Sequence, residues 1–298
     1  MSTSADDSAL VVCVDGSPAS DAAVRWAARE AVICNAPITL THVIAPALTT
    51  TRDEALRARV ERWQRYRARH VVDKAREIIA DGGGDGNTPE VRTELCVSNP
   101  VPALVDASKD ARVVVVGSRG MGAFRRRVLG SVSSGLIPRA HCPVAVVHEQ
   151  RDPPTTGDNA PILLGIDGSP ASELATAIVF GEASRRGVEL VWSDVGVFPI
   201  LSMDCKMYRD EGQEVLAERL AGWQEHYPEV HVRRRLVCDQ PARWLVKESQ
   251  HAQLVVVGSH GRGRFAGMSL GSVGTVWPRP RACRSSSPGC HSVAKRSS

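Results

Sequence analysis

Val14-Asp15-Gly16-Ser17-Pro18-Ala19-Ser20 returns 152 residues on (15 to 167) as Ile166-Asp167-Gly168-Ser169-Pro170-Ala171-Ser172. A second landmark, Val113-Val114-Val115-Val116-Gly117-Ser118-Arg119-Gly120, returns 141 residues on (117 to 258) as Leu254-Val255-Val256-Val257-Gly258-Ser259-His260-Gly261. Leu129-Gly130-Ser131-Val132 and Leu270-Gly271-Ser272-Val273 keep that second offset. Landmarks repeated in the same order mean a duplicated domain. The drop from 152 to 141 means the second copy is 11 residues shorter between them.

Within the first copy, short apolar runs alternate with amphipathic stretches, the pattern of βαβ units around a parallel sheet. Strands are expected over 10–14, 38–43, 90–96, 113–117 and 143–147, with helices near 20–31, 52–80, 100–108 and 131–140. Gly135 and Pro138 weaken the last of these. Asp81-Gly-Gly-Gly-Asp-Gly-Asn87 punctuates the second helix and third strand. The fold expected is α/β, two tandem doubly wound parallel-sheet domains: residues 1–148, a linker over 149–160, a truncated copy over 161–273, and a basic tail over 274–298.

A chain of 298 residues with 43% apolar content supports two cores. Thirty-seven Lys+Arg against 33 Asp+Glu call for neither nucleic acid nor a membrane surface. No apolar run approaches the roughly 20 residues that cross a bilayer, and Met1–Ser8 lacks a signal-type core, so a cytoplasmic protein is expected. The eight cysteines (Cys13, Cys34, Cys96, Cys142, Cys205, Cys238, Cys283, Cys290) form no C-x-x-C pair and read as reduced thiols, Cys13 and Cys96 as small buried hydrophobes.

Ligands of open parallel sheets bind beyond the strands' carboxyl ends, where strand order reverses. In a five-stranded doubly wound sheet that is between strands one and four. The repeated landmarks follow those two strands, so both point to one crevice. Gly117 and Gly120 are expected to permit positive φ and let backbone N–H groups approach a phosphate. Gly130 and Ser131 open a helix whose first N–H groups favour anions. Each dipole is worth only about 0.3–2 kcal/mol, so micromolar affinity, roughly −8 kcal/mol, needs the whole cluster.

These residues resemble the universal stress protein family, with its adenine nucleotide alpha hydrolase-like fold and, in its tandem form, the mycobacterial members. The likeness runs over residues 9–273. In the ATP-binding branch an aspartate ends strand one and a G-x2-G-x9-G-(S/T) run follows strand four. The resemblance implies that Asp15 contacts the adenosine, Val43 offers backbone to adenine, and Gly117, Gly120, Gly130, Ser131 and Val132 hold ribose and phosphates. It leaves open whether Mg²⁺ accompanies ATP. In the second copy the matching positions are Asp167, Gly258, Gly261, Gly271 and Ser272.

No Walker loop occurs, and Gly261-Arg-Gly263-Arg-Phe-Ala266 follows the wrong strand for a dinucleotide fingerprint. The resemblance implies an ATP-binding regulator of the stress or dormancy response, and with no general base legible near the phosphate positions at most slow hydrolysis is expected. The rivals are an adenylyl-transferring enzyme of a related fold, whose Ser-Gly-Gly-x-Asp-Ser loop is absent after strand one, and a degraded remnant that binds nothing.

The second copy departs from the pattern twice. Val188-Glu-Leu-Val-Trp-Ser-Asp-Val195 leaves little of strand two, and no fifth strand is legible after Val273. Ala282–Gly289 can be encoded so that its shifted frame reads Val-Pro-Val-Ile-Val-Ala-Arg, resembling Cys142-Pro-Val-Ala-Val-Val147, so the tail from about Gly274 is expected to be a frameshift product. Losing four apolar strand side chains removes about 6–12 kcal/mol against a stability of about 5–15, and exposes the 143–147 edge to aggregation or homodimer formation. The tail's arginines (Arg279, Arg281, Arg284, Arg296) are then no nucleic-acid arm. Arg57, Arg59, Arg62, Arg65, Arg67 and Arg69 are expected on the solvated face of a helix whose apolar face holds Val60, Trp63 and Val71. His42 reads as a core histidine. A regulatory protein partner is expected but not identified.

Overall fold

The structure is a computed structural model that describes residues 8–46, 53–82, 88–120, 129–149, 159–166, 170–194, 220, 222–236, 241–259 and 291–295. The chain divides into two compact units, Met1–Glu149 and Gln150–Ser298.

The first unit runs β1 (Leu10–Cys13), α1 (Pro18–Cys34), β2 (Ile38–Ile44), α2 (Glu54–Gly82), β3 (Val91–Val97), α3 (Pro100–Ala107), β4 (Val113–Gly117), α4 (Ser131–Leu136) and β5 (Val144–Val147). Its strands order as β3-β2-β1-β4-β5, all parallel. Leu10, Val12, Val114, Val115, Val144 and Ala145 are fully buried, as central strands covered on both faces require.

Ser17 starts α1 as its N-cap, accepting from Ser20 N–H at 3.2 Å, and Pro18 supplies a pre-set first φ. Asn35 in left-handed conformation (φ 46°) ends the helix, its N–H and that of Ala36 returning to Val32 and Ala31 carbonyls. The face toward the sheet is largely alanine (Ala19, Ala23, Ala27, Ala31), so the helix axis lies close to the strands.

α2 is amphipathic only in its second half, where Ala68, Val71, Val72, Ala75 and Ile79 are buried at three- and four-residue spacing. Its first half stands in solvent. Trp63 is 57% exposed, with the Arg67 guanidinium 5.5 Å from its ring centre, and Val60 is half-buried. The expected apolar face of Val60, Trp63 and Val71 therefore reduces to Val71. α4 is six residues long, shorter than the expected 131–140, and ends before Pro138.

The second unit contains β6 (Ile162–Ile166), α5 (Pro170–Arg186), β7 (Leu190–Asp194), β8 (Val232–Leu236), a helix over Pro241–Glu248, β9 (Leu254–Gly258) and β10 (His291–Lys295). The four strands β6 to β9 repeat the first four of unit one, with parallel order β9-β6-β7-β8. The second strand, expected to be largely lost, is present as β7. Leu190, Val191 and Trp192 are buried, and Trp192 meets Phe180 edge-on at 6.1 Å. Tertiary burial of three consecutive apolar residues decided that strand; Glu189 merely precedes it.

The fifth place was expected to be empty, and its sequence counterpart, about residues 285–288, lies outside the described residues. Beside β9, however, the structure sets β10 in parallel register, His291 against Leu254 through Lys295 against Gly258. β10 begins 33 residues after β9, whereas β5 begins 27 after β4. The tail thus fills the place of a fifth strand without being its sequence equivalent, because the side of β9 away from β6 offers N–H and C=O groups that a nearby extended segment satisfies. No helix among the described residues is long and apolar enough to cross a membrane.

Candidate functional site

Beyond the carboxyl ends of β1 and β4 lies a cleft of about 630 Å³, within the range of small-molecule sites. Asp15, Val43, Gly117, Gly120, Gly130, Ser131 and Val132 all line it. The loop after β1, the end of β2 and the described residues 117–120 and 129–133 therefore converge on one space.

Asp15 is fixed from two sides. Ser17 N–H donates to its Oδ1 at 2.9 Å, and its own N–H donates to Ser20 Oγ at 3.2 Å. Oδ2 rests over Gly120, where a Cβ would come within 2.5 Å of it. Gly120 is thus paired sterically with Asp15, 105 residues away in the chain.

Gly117 has a different task. A Cβ there would lie 2.8 Å from Ala19 C and 2.9 Å from both Ala19 O and Ser20 N. Its missing side chain admits the start of α1 against β4. The positive-φ glycines among the described residues are Gly16 and Gly187, so the expectation of positive φ at Gly117 and Gly120 is corrected. Gly258 makes the same approach in the second unit, 3.0 Å from Ala171 C. Gly261, Gly271, Ser272 and Asp167 lie outside the described residues.

The described residues on either side of 121–128 are tied down by one backbone and two serine hydroxyl hydrogen bonds. Gly130 N–H donates to Ser118 O at 2.8 Å, Ser133 Oγ to Gly117 O at 2.8 Å, and Ser17 Oγ to Arg119 O at 3.3 Å. The Gly130 N–H is therefore committed to Ser118 O, and the residues of this helix start that line the cleft are Ser131, which is exposed, Val132 and Ser133. A six-residue helix contributes little dipole, which corrects the weight placed on it.

His42 Nδ1 lies 2.6 Å from Val14 O. A carbonyl only accepts, so Nδ1 carries the proton and the ring ties β2 to β1, a structural role. Burial, then the Asp15 charge, pushes the Cys13 thiol up to about 12, so it stays protonated. Cys13 and Cys96 are both half-buried, more open than expected. Burial, then the Arg119 charge, brings His148 down to about 4. Arg119, Ala45, Pro100 and Ser133 also line the cleft and were missed in the sequence. Arg119 was findable, standing inside Gly117-x-x-Gly120; Ala45 and Pro100 carry no chemical signal.

Residues 8–148 and again 159–275 match the profile of the Universal stress protein family. The chain is 48% identical over 278 residues to a universal stress protein of Mycobacterium tuberculosis strain H37Rv, covering 92% of this chain and 94% of that protein. It is 51% identical over 277 residues to one of Mycolicibacterium smegmatis, with the same coverage. The solved structure of a universal stress protein from Archaeoglobus fulgidus DSM 4304 covers 99% of both chains at a TM-score of 0.70 and 19% identity, a likeness of fold.

Proposed function

The chain belongs to the universal stress protein family, and on that premise we propose that it is an ATP-binding regulator of the stress response, with its nucleotide in the cleft of the first unit. The supporting observation is the convergence of Asp15, Val43, Gly117, Gly120, Gly130, Ser131 and Val132, seven residues chosen by motif, on one cleft. Val14, Val43, Ala45, Val116 and Pro100 give that cleft apolar wall for a base, while Arg119, Ser131 and Ser133 give it polar and cationic groups for phosphates.

Asp15 is the carboxylate of the lining and is already engaged by Ser17 N–H; in this reading it serves the nucleoside end. A Mg²⁺ ion would accordingly be held through the phosphates and water. With Asp15 so placed, its role is to bind the nucleoside rather than to activate water at the phosphates. Occupancy of the cleft would bias a contact with a regulatory partner in the cytoplasm.

Calorimetric titration of ATP into the chain and its Ser131→Asp variant tests this. Ser131 is exposed, so the variant keeps the fold while setting a negative charge at the phosphate end. Saturable binding with roughly micromolar affinity, weakened at least about tenfold for ATP but not for adenosine in the variant, is expected. Absence of saturable ATP binding by folded wild type would overturn the reading. Gly117→Ala, the obvious motif variant, is a poor probe because it perturbs α1 packing first.

A further inference from the structure

β3 is hydrogen-bonded to β2 on one side, and among the described residues nothing pairs with its other side. It is seven residues long and contains no proline. Ile38 N–H donates to Glu90 O at 2.8 Å, and Ser98 N–H donates to Ile44 O at 3.1 Å. Backbone direction alternates along a parallel strand. The even-numbered residues of β3 therefore address β2, and Val91, Thr93, Leu95 and Val97 turn their N–H and C=O groups outward.

The side chains alternate as well. Arg76 of α2 donates to Thr93 Oγ1 at 2.8 Å, which places the odd-numbered side chains on the α2 face. Of these, Leu95 and Val97 are 43% and 64% exposed. Arg92 and Glu94 are exposed on the opposite face. A seven-residue edge with apolar residues beside it and no proline is a template for another strand, and its two charges of opposite sign restrict which strand can pair.

We propose that this edge pairs with the β3 edge of a second copy of the chain, antiparallel about a two-fold axis at Thr93. Outward backbone groups then meet outward groups: Thr93 faces Thr93, and Val91 faces Leu95 of the second copy, covering it. Arg92 and Glu94 fall in non-hydrogen-bonded positions, where side chains across the pair are closest. Each Arg92 there stands opposite a Glu94, twice by symmetry.

The neighbouring registers lack this match. Moving the axis to Glu94 sets two carboxylates against each other, and moving it to Leu95 leaves Arg92 opposite Ser98 and Glu94 opposite Cys96. Charge thus selects one register out of those the backbone permits. The ion pair between Arg92 and Glu90, the residue before β3, 2.9 Å and 64% exposed at both ends, competes only weakly.

Sedimentation equilibrium of the full chain over a concentration series tests this, with each variant checked for an unchanged thermal midpoint. A reversible monomer–dimer equilibrium is expected, abolished by Leu95→Lys. Arg92→Glu and Glu94→Arg each create two like-charge pairs and should each weaken the dimer about tenfold. Combined, they restore opposite charges and the wild-type constant. Leu95→Lys could fail to fold, in which case the charge-swapped pair decides alone. A chain monomeric throughout, a dimer indifferent to these variants, or a double variant as weak as the singles would each overturn the proposal.

Discussion

His148, immediately after β5, carries the residue-scale consequence that is easiest to measure. Its imidazole is held neutral by burial and by the positive charge of Arg119, with a pKa of about 4 against 6.5 for the free group. The folded-state value is depressed, so the stability linked to it is fully present above pH 6.5 and is lost as pH falls toward 4. At pH 5 the unfolded chain binds more protons at this position, a difference of about 2 kcal/mol. Urea unfolding at pH 7 and pH 5 should therefore show a larger loss in wild type than in His148→Gln, by about that amount; equal losses would refute it. The glycines teach a related point. Gly117 and Gly120 were selected in the sequence as phosphate-loop residues, and both line the cleft. Yet what each needs a missing Cβ for is a protein neighbour, Ala19 for Gly117 and the Asp15 carboxylate for Gly120. A glycine spacing locates a tight place in the fold, but the neighbour that makes it tight is invisible in the sequence.

Elements fared according to whether their own residues or their neighbours decide them. β1, β2, β4 and β5 are apolar runs bounded by turns, and α1 carries its cap and its stop, so these were legible from local signals. β7 was not, because the short run Leu190-Val191-Trp192 becomes a strand only between β6 and β8 with Phe180 packed on Trp192. The first half of α2 misled for the converse reason: Trp63 has helical spacing but no surface to cover it. β10 occupies the fifth place of the second sheet with a sequence that does not match that of β5. Replacing Ala282–Pro288 by Val-Pro-Val-Ile-Val-Ala-Arg, the shifted-frame reading, should supply buried apolar side chains there. A net gain of only about 2 kcal/mol would raise the thermal midpoint of the second unit by roughly 4–8 °C. An unchanged or lowered midpoint in differential scanning calorimetry would argue that β10 already serves as well.

At the scale of the whole molecule, the division into Met1–Glu149 and Gln150–Ser298 sets the last expectation. Every residue of the described cleft belongs to the first unit, so a fragment of residues 1–149 should fold and bind ATP with the affinity of the full chain. A folded fragment that fails to bind, while the full chain binds, would mean that the second unit completes the site. The duplication, the doubly wound topology and the crevice between strands one and four were all determined by the sequence, because a repeat and its periodicity are properties of the chain itself and parallel α/β order leaves one place where loops diverge. The tertiary structure alone decided which groups are already committed. Gly130 N–H is taken by Ser118, His42 is tied to Val14, and β3 has one side unpaired among the described residues. Hydrogen bonds and burial join residues far apart in sequence, and the partner of each is fixed only when the chain has closed around it.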